Sequence, residues 1–165
     1  MPTTHDTREE AAVAPRKSRR RAWTSAVGAV AVAVSALVMT SATVVQAADP
    51  ATVCNGGDGR RPDAGSGTYG QVNSAAIPGG GGTLYLFYNN TTGYNCAVTI
   101  NAGVGTTYMD VGLRQTGNNG TAQWNSGQFG QYAGPVYVSA RGICVDTTGA
   151  VGDQSTALIG TNCGS

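Results

Sequence analysis

From Tyr69 onward the apolar residues come in short runs broken by Gly and Asn, and none repeats at helical spacing beyond a turn or two. Residues 72–77 form the first run, stopped by Pro78 and the glycines at 79–82. Thr83-Leu84-Tyr85-Leu86-Phe87-Tyr88 is the strongest, a row of β-formers without a charge. Asn89-Asn90-Thr91-Thr92-Gly93 turns the chain into 96–100, and 106–115 alternates moderately. The cluster Thr116-Gly117-Asn118-Asn119-Gly120 predicts a turn, and 122–132 is ambiguous. Segments 136–140 and 143–145 flank Arg141-Gly142, a link of hairpin length, and 157–159 closes the series. About eight short strands with regular turn signals predict an all-β fold, a single small antiparallel β-sandwich or barrel.

The first 47 residues have a different character. A basic block, Arg16-Lys17-Ser18-Arg19-Arg20-Arg21, precedes an uncharged stretch over 22–48, and Val45-Gln46-Ala47 sets small residues at the −3 and −1 positions of a cleavage site. That order is a secretory signal, with the cut expected between Ala47 and Ala48 and no membrane attachment afterwards. The stretch is long enough to span a bilayer, but Thr24, Ser25, Ser35, Thr40, Ser41 and Thr43 dilute it. Residues 48–68 are Gly, Asp, Pro and Arg with little that is apolar, a mobile lead-in unless Cys54 is bridged, and 69–165 make the β domain.

Charge then narrows the chemistry. Residues 48–165 hold four arginines, six aspartates and no His, Lys or Glu. This excludes a Ser-His-Asp triad, a Schiff-base lysine and a His-type zinc site, and a faintly acidic surface is a poor nucleic-acid ligand. No cofactor or metal site is expected, and no CxxC pair is present. Asp110, Asp146 and Asp153 are the only plausible acids for catalysis, and no motif sets two of them together, so no enzymatic activity is expected.

Cys54, Cys96, Cys144 and Cys163 are an even number in a short exported chain, which predicts two disulfides. Three pairings are possible; Cys54–Cys96 with Cys144–Cys163 closes the shortest loops, each worth about 3–4 kcal/mol in a chain-entropy account. Alternation over 83–88 puts Leu84, Leu86 and Tyr88 on one face and Tyr85 and Phe87 on the other. With one face in the core, Tyr85, Phe87 and the lone tryptophan of the exported part, Trp124, become a candidate binding surface; with both covered they are core. The same uncharged window is the signature of a central strand or of self-association.

Three blocks in order resemble the spore-associated protein A family of streptomycetes and related actinobacteria: Gly82-Thr83-Leu84-Tyr85-Leu86-Phe87-Tyr88-Asn89 leading to Thr92-Gly93-Tyr94-Asn95-Cys96-Ala97-Val98-Thr99-Ile100, then Tyr132-Ala133-Gly134-Pro135-Val136-Tyr137-Val138-Ser139-Ala140-Arg141-Gly142-Ile143-Cys144-Val145-Asp146, and finally Gly160-Thr161-Asn162-Cys163-Gly164. The likeness runs from about Tyr69 to Gly164 with all four cysteines in register. Two features depart from the family: residues 55–68 intervene after the first cysteine, and Asp146-Thr147-Thr148-Gly149 stands where a Trp-Gly-Gly element often follows the third. The resemblance implies a small exported protein recovered with spores or the cell surface and with no established enzymatic activity, and the partner expected is the spore or cell-wall surface. The alternative is a secreted small-molecule carrier or protease inhibitor.

Overall fold

The computed structural model describes residues 46–57 and 59–164. The export signal expected over residues 1–47 therefore lies outside the described residues except for Gln46 and Ala47, and Asp58 lies outside them too. Eight strands follow the lead-in: β1 (Gly70–Ile77), β2 (Gly82–Tyr88), β3 (Tyr94–Asn101), β4 (Thr107–Gln115), β5 (Asn118–Phe129), β6 (Tyr132–Ser139), β7 (Val145–Val151) and β8 (Gln154–Thr161). They form two antiparallel four-stranded sheets, sheet A in the order β1-β2-β3-β6 and sheet B in the order β5-β4-β7-β8. The sandwich is the fold expected of the pattern.

The period of two decides what lies between the sheets. Leu84 and Leu86 of β2 and Met109, Val111 and Leu113 of β4 point inward and are fully buried with Val145, and Val138 packs among them. A buried side chain of this size contributes about 1.5–3 kcal/mol, so these five and their neighbours carry the sandwich. The sheets approach closely at Gly149 of β7, where a Cβ would collide with Thr99 Oγ1 and press on Leu84. Side-chain amides clip the open sides: Asn125 Oδ1 on β5 accepts from the Gly134 N–H on β6 (2.8 Å), and Asn73 Nδ2 on β1 donates to Thr161 Oγ1 on β8 (2.8 Å).

The hairpin expected across Arg141-Gly142 is not formed. β6 pairs with β3 in sheet A, whereas β7 pairs with β4 and β8 in sheet B. Cys144 is bonded to Cys163 beyond the end of β8, which holds the start of β7 in sheet B. The connection is a tight turn with Ile143 N–H on Ala140 O (3.2 Å), pinned by Arg141, which donates to the carbonyls of Asn90 and Thr91. The turn expected over 116–120 is shorter than its sequence suggests, because β5 already begins at Asn118. Tyr88 and the rest of 83–88 form β2, an interior strand flanked by β1 and β3.

The lead-in folds onto the outer face of sheet A. A helical turn, α1 (Pro50–Thr52), is capped by the Asp49 carboxylate on the N–H groups of Ala51 and Thr52, and Val53 and Cys54 follow it into the surface. Cys54 is bonded to Cys96 of β3, both fully buried with Phe87, Val98 and Tyr69. Polar bonds complete the seal. Asn55 accepts from the Tyr69 N–H (2.8 Å) and donates to the Tyr69 carbonyl (3.1 Å), and the Tyr137 hydroxyl donates to the Cys54 carbonyl (3.0 Å).

At the centre of this seal is Asp63, whose side chain is 2% exposed. It accepts from Arg61 Nε (2.9 Å), the Tyr69 hydroxyl (2.9 Å), Asn89 Nδ2 (2.9 Å) and the Thr92 hydroxyl (3.1 Å). Arg61 also donates to the carbonyls of Ser66 and Gly67, and its guanidinium lies 4.9 Å from the Tyr69 ring centroid. Burial alone would push the Asp63 carboxyl up; Arg61 and the hydroxyls of Tyr69 and Thr92 outweigh it and hold the group at about 2. Burial and the same carboxylate push the Tyr69 phenol up.

Two outcomes follow. The folded-state value for Asp63 lies below the ordinary 3.8, so its contribution is fully present above that value and is lost as pH falls towards 2. Urea unfolding with the disulfides intact should show a loss of about 2 kcal/mol from this group between neutral pH and pH 2, and Asp63→Asn should begin less stable and respond less to acid. Mild reductant followed by alkylation and mass analysis should open Cys144–Cys163 first, because Cys163 is exposed while Cys54 and Cys96 are buried. Simultaneous opening would contradict that order.

Candidate functional site

The outer faces of the two sheets differ. On sheet A the lead-in covers Phe87, which is 1% exposed, and leaves Tyr85 half-buried against the same cluster. Phe87 is therefore not part of a binding surface: its register partner is Cys96, whose bond to Cys54 brings the lead-in down directly over it. Trp124, on the outer face of sheet B, is 61% exposed.

Strand β4 organises that face. With Met109, Val111 and Leu113 turned inward, Tyr108, Asp110, Gly112 and Arg114 turn outward. Register then sets their neighbours. Gly112 stands between Trp124 of β5 and Thr148 of β7, Asp110 between Ser126 and Ala150, and Arg114 opposite Asp146. The indole lies directly over Gly112, where a Cβ would run into Cζ3, Cε3 and Cη2 of the ring. Ile159 of β8, 65% exposed, stands across the face from Trp124, and a cavity of about 170 Å³ lies among Trp124, Ile159, Gly112 and Thr148, bordered by Arg114 and Asp146. The Thr148 hydroxyl is shielded from solvent and has no hydrogen-bond partner. Trp124 also borders a second depression of about 290 Å³ at the seam of β5 and β6, so it forms a ridge between two hollows.

The charges are held, each by its own partners. Arg114 reaches Asp146 Oδ2 through Nη2 (3.0 Å) and Nε (3.1 Å) and also donates to Asn119. Asp146 Oδ1 accepts from the Thr116 hydroxyl (2.6 Å) and the Gly160 N–H (2.9 Å). Burial pushes the Asp146 carboxyl up, but the Thr116 hydroxyl, the Gly160 N–H and Arg114 together take it below the ordinary value. Burial raises Asp110, partly offset by the Ala150 N–H. Of the three aspartates considered for catalysis, Asp110 and Asp146 share this face and Asp153 bonds Gln154 beside the β7–β8 turn. Asp110 is opposite Ala150, and at the rise of a strand that places it roughly 13 Å along β7 from Asp146, beyond the spacing of a glycosidase pair.

The remaining sequence-level sites are distributed elsewhere. Ala47 is exposed beside the 101–105 loop and Ala48 is half-buried against the sheet A cluster, so both sides of the expected cleavage point lie at the domain surface. Cys54, Cys96, Cys144 and Cys163 form the two staples, in the pairing that closes the shortest loops. The segment 143–145 reads as strand, but Ile143 and Cys144 precede β7, in the turn that crosses between sheets. Gly112, Ile159 and Tyr108 were not singled out by the sequence; alternation carried through 107–115 would have placed Gly112 and Tyr108 on the outer face, whereas nothing in the apolar triplet 157–159 tells Leu158 from Ile159.

No family model and no solved structure matches the chain. It is 48% identical over 97 residues to Spore-associated protein A of Streptomyces coelicolor, a match that covers 58% of this chain and 62% of that protein. The resemblance read from the cysteine-bearing blocks is thus found, and the chain spans less than two thirds of the curated relative's length.

Gly112→Val should lift the indole off β4. The expected result is a shift in tryptophan emission and loss of near-ultraviolet dichroism from Trp124, with a stability cost of about 1–3 kcal/mol; an unchanged spectrum would mean that the ring does not rest on Gly112.

Proposed function

We propose that the chain is an exported spore- or cell-surface protein that works by adhesion without catalysis, and that the outer face of sheet B is the adhesive face. The observation that carries this reading is the contrast between the two sheets. One outer face is sealed by the lead-in, while the other keeps a tryptophan 61% exposed and seated on a glycine. Single exposed apolar side chains are common, but Trp124 and Ile159, 61% and 65% exposed on either side of one formed cavity, make a shared contact surface.

Three further observations support the reading. The relative is named for association with spores, and two disulfides suit a chain that functions outside the cytoplasm. The aspartates of the face are held by other bonds or stand too far apart to share a glycosidic reaction. The space between the sheets is filled by aliphatic side chains, so the carrier alternative would have to bind its cargo on the outside. The Ile143 turn closes on itself through Ala140, unlike the extended loop that a protease inhibitor presents.

Residues 48–165, with both disulfides formed, should sediment with washed actinobacterial spores or cell walls. Trp124→Ala with Ile159→Ser should lower retention about tenfold, a loss typical of an aromatic anchor. Val104→Ser, in an exposed loop away from this face, should change nothing. Protein that stays in the supernatant, or retention untouched by the double substitution, would overturn the reading.

A further inference from the structure

The outer face of sheet B has the form of a shallow trough. On one side the Trp124 indole of β5 lies over Gly112, on the other stands Ile159 of β8, and Thr148 lies between them; the Arg114–Asp146 pair borders one end, and Ala150 and Asp110 continue the face beyond the other. A flat floor of small residues accepts an extended chain laid along the strands. A globular partner would find too little here, because interface cores need contiguous apolar area and this face offers isolated apolar groups among small polar ones.

Charge narrows the occupant further. The one cation of this trough, Arg114, is held by Asp146 and Asn119, and Asp110 adds a carboxylate at its other end. Arg60 lines the hollow on the far side of Trp124, so a polymer of phosphates or carboxylates laid in the trough would meet a paired cation and one like charge, which disfavours it. What the face offers is an aromatic plate, a carboxylate acceptor and a hydroxyl. The Trp124 π-face carries partial negative charge that attracts the polarised C–H groups of a sugar ring. Asp110 accepts from donors such as sugar hydroxyls, and Thr148 Oγ1, beside the cavity and without a partner, gains its missing bond from an entering hydroxyl.

We infer that the trough binds a neutral polysaccharide chain, with one pyranose ring stacked on Trp124 and its hydroxyls directed to Thr148 and Asp110. This rests on the adhesive reading of the same face and gives its ligand class. The surface reading stands or falls separately, by retention on spores.

Trp124 is the single tryptophan of residues 48–165, so its emission reports directly on the trough. Titration of this oxidised domain with the hexamer of N-acetylglucosamine, with cellohexaose and with hexagalacturonate should give a saturable change with at least one neutral hexamer and none with the acidic one. Thr148→Val should weaken that binding about tenfold, the worth of one good hydrogen bond, yet leave the fold as stable or more so, because it removes an unpaired buried hydroxyl. Asp110→Asn should weaken it as well. A flat response to both neutral hexamers in a domain that still sediments with spores would overturn the glycan assignment and leave adhesion standing; no response and no sedimentation would overturn both. Tighter binding of hexagalacturonate would reverse the charge argument. Retention abolished by protease treatment of the spores would identify a protein partner and equally overturn the assignment.

Discussion

Burying a carboxylate requires that its oxygens be fully engaged, and at Asp63 four donors from four different residues meet that requirement. Arg61 and Tyr69 come from the lead-in and the approach to β1, while Asn89 and Thr92 come from the turn between β2 and β3. Loss of Arg61 would leave the buried charge uncompensated, which costs several kcal/mol, and loss of a neutral donor would leave a buried lone pair unmet, about 1–3 kcal/mol. The network thus acts as a latch between a polar segment with almost no core of its own and the outer face of sheet A. Cys54–Cys96 brings the two together, and Asp63 fixes the geometry in which they meet.

That latch determines which side of the molecule is available. Tyr85, Phe87, Val98 and Tyr137 would otherwise give sheet A the more apolar outer face. With the lead-in in place, the exposed aromatic side chain moves in effect to sheet B, where Trp124 rests on Gly112. The Arg114–Asp146 pair at the edge of that surface uses the same logic as Asp63 on a smaller scale: Thr116 and Gly160 take the lone pairs that the guanidinium leaves. Both carboxylates are structural acceptors held ionised by their donors.

Much of the sandwich was legible because burial follows alternation. The runs around Leu84 and Leu86 and around Met109, Val111 and Leu113 announce their own inner faces. β7 was not legible, because Asp146-Thr147-Thr148-Gly149 resembles a loop. Its strand character comes from tertiary context: the Thr147 hydroxyl is satisfied by donating to the Gly112 carbonyl (2.7 Å), and Thr99 and Leu84 of the other sheet leave room at 149 for a glycine alone. The docking of residues 48–68 was hidden for a similar reason, since Arg61, Asp63 and Asn55 look like solvated loop residues until their partners, far along the chain, are known. In the site, Trp124 could be singled out by composition alone, but Phe87 could be separated from it only by knowing what lies above sheet A.

The strand order has a consequence in time as well as in space. β3 waits for β6 and β4 waits for β7, so each sheet keeps an unsatisfied interior edge until residues 132–151 are present. A chain that emerges amino end first, from a ribosome or through a membrane pore, can form the β1-β2-β3 meander and the β4-β5 hairpin early but cannot close either layer. Completion is deferred to the last fifth of the polypeptide. Such a topology works as a built-in delay, in which neither layer locks until nearly all of the chain has arrived.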